Sequence, residues 1–159
     1  MDSKSELKWY ATRIIRERSY VLKLYECLGF ETLKIADIPS FVFVRTDRKN
    51  IERLRYEVYD YVLFYKNANR TEVESISEKA INNFRILAPV HDKPVIYLPV
   101  DNKSFFDGPR FVVTSGLFKG FEGTIKRIKG TKRLVVRVSD YAAFATPYIP
   151  SDMLKPLDE

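Results

Sequence analysis

Cysteine and histidine are nearly absent from this sequence. Cys27 is the only cysteine among 159 residues, so no internal disulfide is possible and no Cys-rich zinc site exists. His91 is the only histidine, which excludes a two-histidine metal site within one chain and any mechanism that needs two histidines. Long apolar runs are missing too; Phe41-Val42-Phe43-Val44 is far too short to cross a bilayer, and no membrane partner is expected. The opening Met1-Asp2-Ser3-Lys4-Ser5-Glu6 is polar and has no apolar stretch of signal-peptide length, so a cytoplasmic location is expected. With 45% apolar and 30% charged residues, the chain has the composition of a soluble globular protein, not of a disordered or low-complexity one.

What is present is unevenly spread. The net charge is +6, and the stretch 119–137 alone carries that much: Lys119, Lys126, Arg127, Lys129, Lys132, Arg133 and Arg137 stand against Glu122. Such a local basic patch suits a polyanionic or acidic partner. It equally suits the wet outer face of a strand. Aromatic residues make up 14% of the chain, and most must be core. Trp9 and Tyr10 are adjacent, so on a strand they face opposite sides. One side meets helices; the other is either a docking surface or is covered by a loop or another domain.

The order of elements follows from periodicity. Leu7–Ile14 reads as a strand, and Arg16–Leu28 as a helix whose buried stripe is Tyr20, Val21, Leu24, Tyr25 and Leu28, closed by Gly29. Short strands are predicted over Glu31–Ile35 and Phe41–Arg45. Asp47 caps a second helix with Ile51, Leu54 and Val58 inward, and Tyr61–Tyr65 returns to strand. Asn67-Ala68-Asn69-Arg70 is a loop. Ser75 and Glu78 fit a capping box for a third helix bearing Ile76, Ala80, Ile81, Phe84 and Leu87, and Val95–Val100 is a further strand. This predicts an α+β fold for residues 1–100, with helices packed on a mainly antiparallel sheet. Gly108-Pro109 marks a linker at 101–109. Residues 110–159 show no helical period. Short β-rich runs with frequent glycines, and a tight turn at Gly130-Thr131, predict a small all-β barrel.

Few residues offer chemistry. Gly116-Leu117-Phe118-Lys119-Gly120 lacks the Gly-Lys-Ser/Thr ending of a P-loop, and no Gly-x-Ser-x-Gly occurs. His91, beside Asp92 in a loop with Pro89 and Pro94, is poorly placed to be held as a base. Cys27 sits next to a buried helical stripe, as a small hydrophobe would. No carboxylate pair stands out. Nothing here points to an enzyme, a metal or a cofactor.

The stretch Arg110–Gly130, with Gly116, Phe118, Gly120, Glu122 and Gly123 at their spacing, resembles the KOW motif that ends NusG-type transcription elongation factors. The close of the chain, Ile149-Pro150-Ser151-Asp152-Met153-Leu154-Lys155-Pro156-Leu157, fits as well. Gly120 and Gly123 permit a tight bend, and Phe118 and Phe121 suit the core of a small SH3-like barrel. Lys8-Trp9-Tyr10-Ala11 resembles the opening strand of the NusG N-terminal domain, and Ile38-Pro39-Ser40-Phe41-Val42-Phe43-Val44 its Phe-Pro-Gly-Tyr-Val-Phe-Val strand. The stretches 41–46 and 141–146 look closest to UpxY-like paralogues, the antiterminators of surface-polysaccharide operons in Bacteroides-type bacteria.

The resemblance implies a non-enzymatic, monomeric factor that docks on the clamp helices of RNA polymerase and promotes elongation or antitermination. By position, the docking patch comprises Tyr10, Arg13, Ile38, Pro39 and Phe41, with Arg16 and Arg18 adding charge steering beside it. The KOW domain, with Gly116, Gly120 and Gly123 structural, reaches a ribosomal protein, a termination factor or nascent RNA. Phe118, Lys119, Phe121, Lys126, Arg127, Lys129, Lys132 and Arg133 are the candidates for that contact. Ser40 stands where the family has glycine, and Ile38 where it has an aromatic. The segment between Phe30 and Phe41 is short; the family inserts there a charged hairpin that approaches the non-template DNA. The alternative that the resemblance leaves open is a KOW-containing RNA- or ribosome-binding protein whose N-terminal domain is only a scaffold.

Overall fold

The computed structural model describes residues 6–67, 69, 71–101 and 103–157. The polar opening 1–5, two residues of the 67–70 loop (Ala68, Arg70) and Asn102 of the expected linker lie outside the described residues. The chain divides into two compact units. One runs to Ile35 and from Pro39 to Ile81; the other takes Ala36–Ile38 and the chain from Asn82 onward.

The first unit is built on β1 (Lys8–Ile14), β2 (Glu31–Lys34), β3 (Phe41–Thr46), β4 (Val62–Phe64) and the two-residue β5 (Ser75–Ile76). All pair antiparallel in the order β2-β3-β1-β4, with β5 also on β1. Two helices, α1 (Arg18–Cys27) and α2 (Arg48–Glu57), supply the cover for one face. Strand alternation sends Tyr10 and Ile14 of β1, Val42 and Val44 of β3, and Val62 and Phe64 of β4 to that face. There they form one core with Val21 and Tyr25 of α1 and Ile51 and Leu54 of α2. Each such side chain, buried, contributes about 1.5–3 kcal/mol. Thr12 is the polar member of the same face. Its hydroxyl donates to the Val42 carbonyl at 2.8 Å and accepts from the Tyr25 phenol at 3.0 Å. Burial pushes the Tyr25 phenol up to about 12, partly offset by that hydrogen bond.

Local signals account for the helix limits. Asp47 caps α2, its carboxylate accepting from the Asn50 amide at 2.8 Å. Helix α1 ends at Gly29 (φ 75°), where the Phe30 amide donates to the Tyr25 carbonyl and the two rings lie 5.9 Å apart. The expected stripe of α1 is narrower than its periodicity suggests: Val21 and Tyr25 are buried, whereas Tyr20 and Leu28 are exposed. Cys27 is exposed rather than packed. For α3 (Glu78–Phe84) the cap is Ser77, whose hydroxyl accepts from the Ala80 amide at 3.1 Å. Ser75, the cap expected from the sequence, is taken up by β5, since pairing with Tyr10 holds it extended.

The second unit carries a six-stranded antiparallel sheet. Its strands are β6 (Ile96–Pro99), β7 (Arg110–Val113), β8 (Glu122–Ile128), β9 (Thr131–Ser139), β10 (Ala142–Ala145) and β11 (Leu154–Pro156), in the order β11-β7-β8-β9-β10-β6. The division of the chain therefore differs from a break at 101–109. Strand β6 precedes that stretch but pairs with β10, from Ala142↔Pro99 to Ala145↔Ile96. An apolar run of strand length does not reveal which sheet will take it; the long-range pairing does. Within the expected linker, Lys103–Phe106 forms a turn of 3-10 helix.

Three backbone positions shape this sheet. At Gly123 in β8, any Cβ would overlap the Val135 carbonyl of β9, so only glycine lets the strands approach as they do. The β8–β9 hairpin turns through Lys129 (φ 53°) and Gly130 (φ 79°), both left-handed, while Thr131 already belongs to β9. Two successive positive φ angles are what a two-residue hairpin turn needs. Aromatic rings fill one side of the sheet: Phe84 lies edge-on to Phe121 and to Phe144, and Phe118 packs on Phe121 at 5.6 Å. Val100, Val135 and Ala143 form a further cluster with Leu98, Phe105, Phe106 and Ile128. No helix among the described residues is long and apolar enough to cross a membrane.

Candidate functional site

The first candidate is the end of the first sheet. Register puts Arg13 of β1 between Phe41 of β3 and Leu63 of β4, so the three share the face turned away from α1 and α2. Phe41 continues an aromatic row: its ring is 5.3 Å from Phe43 and stacks on Tyr65 at 5.7 Å. Just past β1, the Ile14 amide donates to the Ser40 carbonyl and the Ile15 amide to the Tyr61 carbonyl, which holds the strand end in place. Tyr20 of α1 meets Tyr61 edge-on at 5.8 Å. Arg18 reaches back with its Nε to the Pro39 carbonyl at 3.0 Å.

These contacts sort the expected docking residues. Tyr10 is not among the surface ones. It pairs with Val44, on the opposite face from Arg13 and Phe41, and is fully buried under the helices. The reason is parity: positions 10 and 13 of one strand cannot share a face. Arg48 sits over the Tyr10 ring at 5.3 Å; burial raises the Tyr10 phenol pKa and Arg48 opposes the rise. Phe41 and Ile38 are also buried, so a partner that uses Phe41 must uncover it. Arg13 is half-buried, and Arg16, Arg18 and Pro39 are exposed. Three exposed apolar side chains were missed by sequence reasoning. Ile15 is 50% exposed, Tyr20 55% and Leu63 41%. Tyr20 was hidden by its place in the helical stripe, and Leu63 by its place in an apolar run. Leu63 shares its face with Arg13, whereas Tyr20 stands on α1, which covers the other face.

The second candidate is the β8–β9 hairpin. It brings Lys126, Arg127, Lys129, Lys132 and Arg133 together around one turn. Lys119 lies elsewhere, exposed in the β7–β8 connection with Gly116 and Gly120. Phe118 and Phe121 are buried and serve the core, not a surface.

His91 is better anchored than its loop suggested. Its Nδ1 lies 3.2 Å from the Asp37 carboxylate, which also accepts from the amides of His91 and Val95. Both side chains are more than nine-tenths buried, and the imidazole packs against Phe118. Nothing in the local sequence shows this bond, because its partners are 54 residues apart. Among the described residues no group of three or more His, Cys, Asp and Glu is arranged to hold a metal ion.

No protein-family model matches the chain, and no curated protein sequence does. A solved structure does: the fold is similar to NusG of Thermotoga maritima, in a structure concerned with domain interaction in that protein. The likeness has a TM-score of 0.53 at 15% identity and covers 96% of this chain and 98% of that one. The fold is thus NusG-like along nearly its whole length.

Proposed function

We propose that this chain is a NusG-like transcription factor that binds RNA polymerase and promotes processive elongation or antitermination without catalysing a reaction. The observation that carries the reading is the NusG-like fold over 96% of the chain, joined to the Trp9-Tyr10 and KOW-like sequence resemblances. The docking element is the end of the first sheet. Ile15, Tyr20 and Leu63 offer apolar contact, and Arg13, Arg16 and Arg18 steer an acidic partner toward it. Phe41, opposite Arg13 in the register, is a deeper anchor. Aromatic anchors of this kind contribute about 2 kcal/mol or more when they are central to an interface. The resemblance of 41–46 and 141–146 to UpxY-like paralogues extends the reading to operon-specific antitermination in a Bacteroides-type bacterium. The short segment between β2 and β3 fits a factor that grips the polymerase without the longer family hairpin.

The test is a pull-down of core RNA polymerase from a Bacteroides-type bacterium with the full chain. The wild type should retain polymerase, and Leu63→Asp combined with Arg18→Glu should lose it while keeping the wild-type circular dichroism spectrum. Phe41→Asp should also lose it, but its buried position makes the surface pair the cleaner variant. A wild type that retains no polymerase would sink the reading.

A further inference from the structure

The β8–β9 hairpin concentrates positive charge that no carboxylate among the described residues balances. Register places Arg127 directly opposite Lys132, and Lys126 directly opposite Arg133. Like charges facing each other across an antiparallel ladder weaken it. Lys129 adds a cation in the turn itself. Among the described residues, none of these five side chains has a carboxylate within ion-pair distance. Their contacts are with neutral groups. Arg127 Nη1 donates to the Gly130 carbonyl, and Arg133 donates to the carbonyls of Ile128 and Thr146. Lys126 Nζ lies 5.2 Å from the centre of the Phe105 ring. These bonds aim the cations and leave their charge uncompensated.

The chemistry of the partner follows from what else the tip shows. Alternation sends Arg127 and Lys132 to one face and Lys126 and Arg133 to the other, so cations surround the end of the hairpin. No large apolar side chain from 126 to 133 is exposed; Ile128 packs inward beside Val100 and Val135. A protein partner is gripped through central apolar or aromatic anchors, and a membrane surface through an apolar face that can be buried in it. The tip has neither. A polar surface dense in Lys and Arg suits a phosphate backbone, which is held by charge-assisted and water-mediated bonds.

We propose that Lys126, Arg127, Lys129, Lys132 and Arg133 form a nucleic-acid site that holds the phosphate backbone and reads no bases. The site belongs to the second unit alone and does not depend on polymerase docking, so either proposal can fail without the other.

Fluorescence anisotropy with the full chain tests it, using a labelled single-stranded RNA and a duplex DNA, each of about 20 nucleotides per strand, over a salt series. Sequence-independent binding at low salt is expected, and whichever nucleic acid binds more tightly identifies the source of the phosphates. The triple variant Arg127→Glu, Lys129→Glu, Lys132→Glu should weaken binding by about tenfold or more. Its plot of log affinity against log salt should also be shallower by about 2 on the single strand. Reversing Lys23, Lys34 and Lys49, exposed lysines of the first unit, makes the same change in net charge. That control should leave the affinity within about twofold, as expected of charges outside the site. A second readout keeps folding separate from binding. Arg127→Glu alone sets a carboxylate opposite Lys132, so it should raise Tm by about 1–4 °C while weakening nucleic-acid binding. No binding by the wild type, equal loss in the triple variant and its control, a lowered Tm for Arg127→Glu, or tighter binding to an acidic peptide or anionic vesicle would each overturn the proposal.

Discussion

Arginine is used differently in the first unit and in the β8–β9 hairpin of the second, although Arg110 and Arg137 elsewhere in the second unit do pair, with Glu122 and Asp140. In the first, Arg45 meets Glu31, Arg48 meets Glu52 and Glu72, and Arg55 meets Glu52 at 2.7 Å. Arg48 and Glu52 also tie α2 to the backbone of Val73, as donor to its carbonyl and acceptor from its amide. There the charges organise the fold. In the β8–β9 hairpin, the cations meet carbonyls and one another. Exposed ion pairs contribute little each, so the contrast is less about stability than about availability. Charge that is already paired locally has little left for a partner, while unpaired charge attracts counterions that binding can release.

The largest effect that would sharpen this comparison is expected at Gly123. Gly123→Ala drives a methyl group into the Val135 carbonyl and should destabilise the second unit by on the order of 3 kcal/mol. Amide exchange across β8 and β9 measures it. Trp9, the sole tryptophan and a member of the first sheet, gives a separate fluorescence signal. A Trp9 transition that moves together with β8 and β9 would show that the two units unfold as one.

Next comes Tyr25. Its phenol is neutral in the folded state up to about pH 12, against about 10 in the unfolded chain. Between those values the unfolded state has released a proton that the folded state keeps, so stability falls as pH rises. The contribution is fully present below about pH 10, and roughly 2–3 kcal/mol is lost by pH 12. Tyr25→Phe removes this titration, and denaturant melts from pH 9 to 12 should show a flatter decline for the variant. An unchanged slope would mean that other groups govern the alkaline limit.

A smaller effect is expected at Asp47. Asp47→Ala removes the cap on the Asn50 amide and should cost about 1 kcal/mol by denaturant melting. Asp47→Asn should recover most of it, since an amide oxygen can accept the same bond. The smallest effect carries the opposite sign. Arg127→Glu should stabilise by about 0.2–1 kcal/mol, because it replaces a cross-strand repulsion with an attraction. Gains from the hairpin and losses from the first unit would confirm that only one of them gives up stability for charge.

Much of the site was legible in the sequence and part of it was not, for reasons that can be named. The cluster 126–133 was visible because a tight turn brings sequence neighbours together. The exposed apolar side chains were not. Ile15, Tyr20 and Leu63 come from three separate elements, and periodicity counted Tyr20 as core. Tyr10 was drawn into the docking patch by resemblance, although strand parity already separated it from Arg13. The His91–Asp37 bond and the pairing of Ile96–Pro99 with Ala142–Ala145 join residues far apart in the chain. No local pattern marks such contacts.

From sequence alone came the number and kind of most elements, the cap at Asp47, the helix end at Gly29, the place of the hairpin and the sign of its charge. These depend on side-chain period, backbone freedom and composition, all of which act within a few residues. Tertiary structure alone decided which sheet claims β6, which aromatic residues are buried, and that among the described residues the hairpin cations find no carboxylate. Those outcomes depend on what lies across a strand or beneath a helix, and that is settled only when distant segments pack.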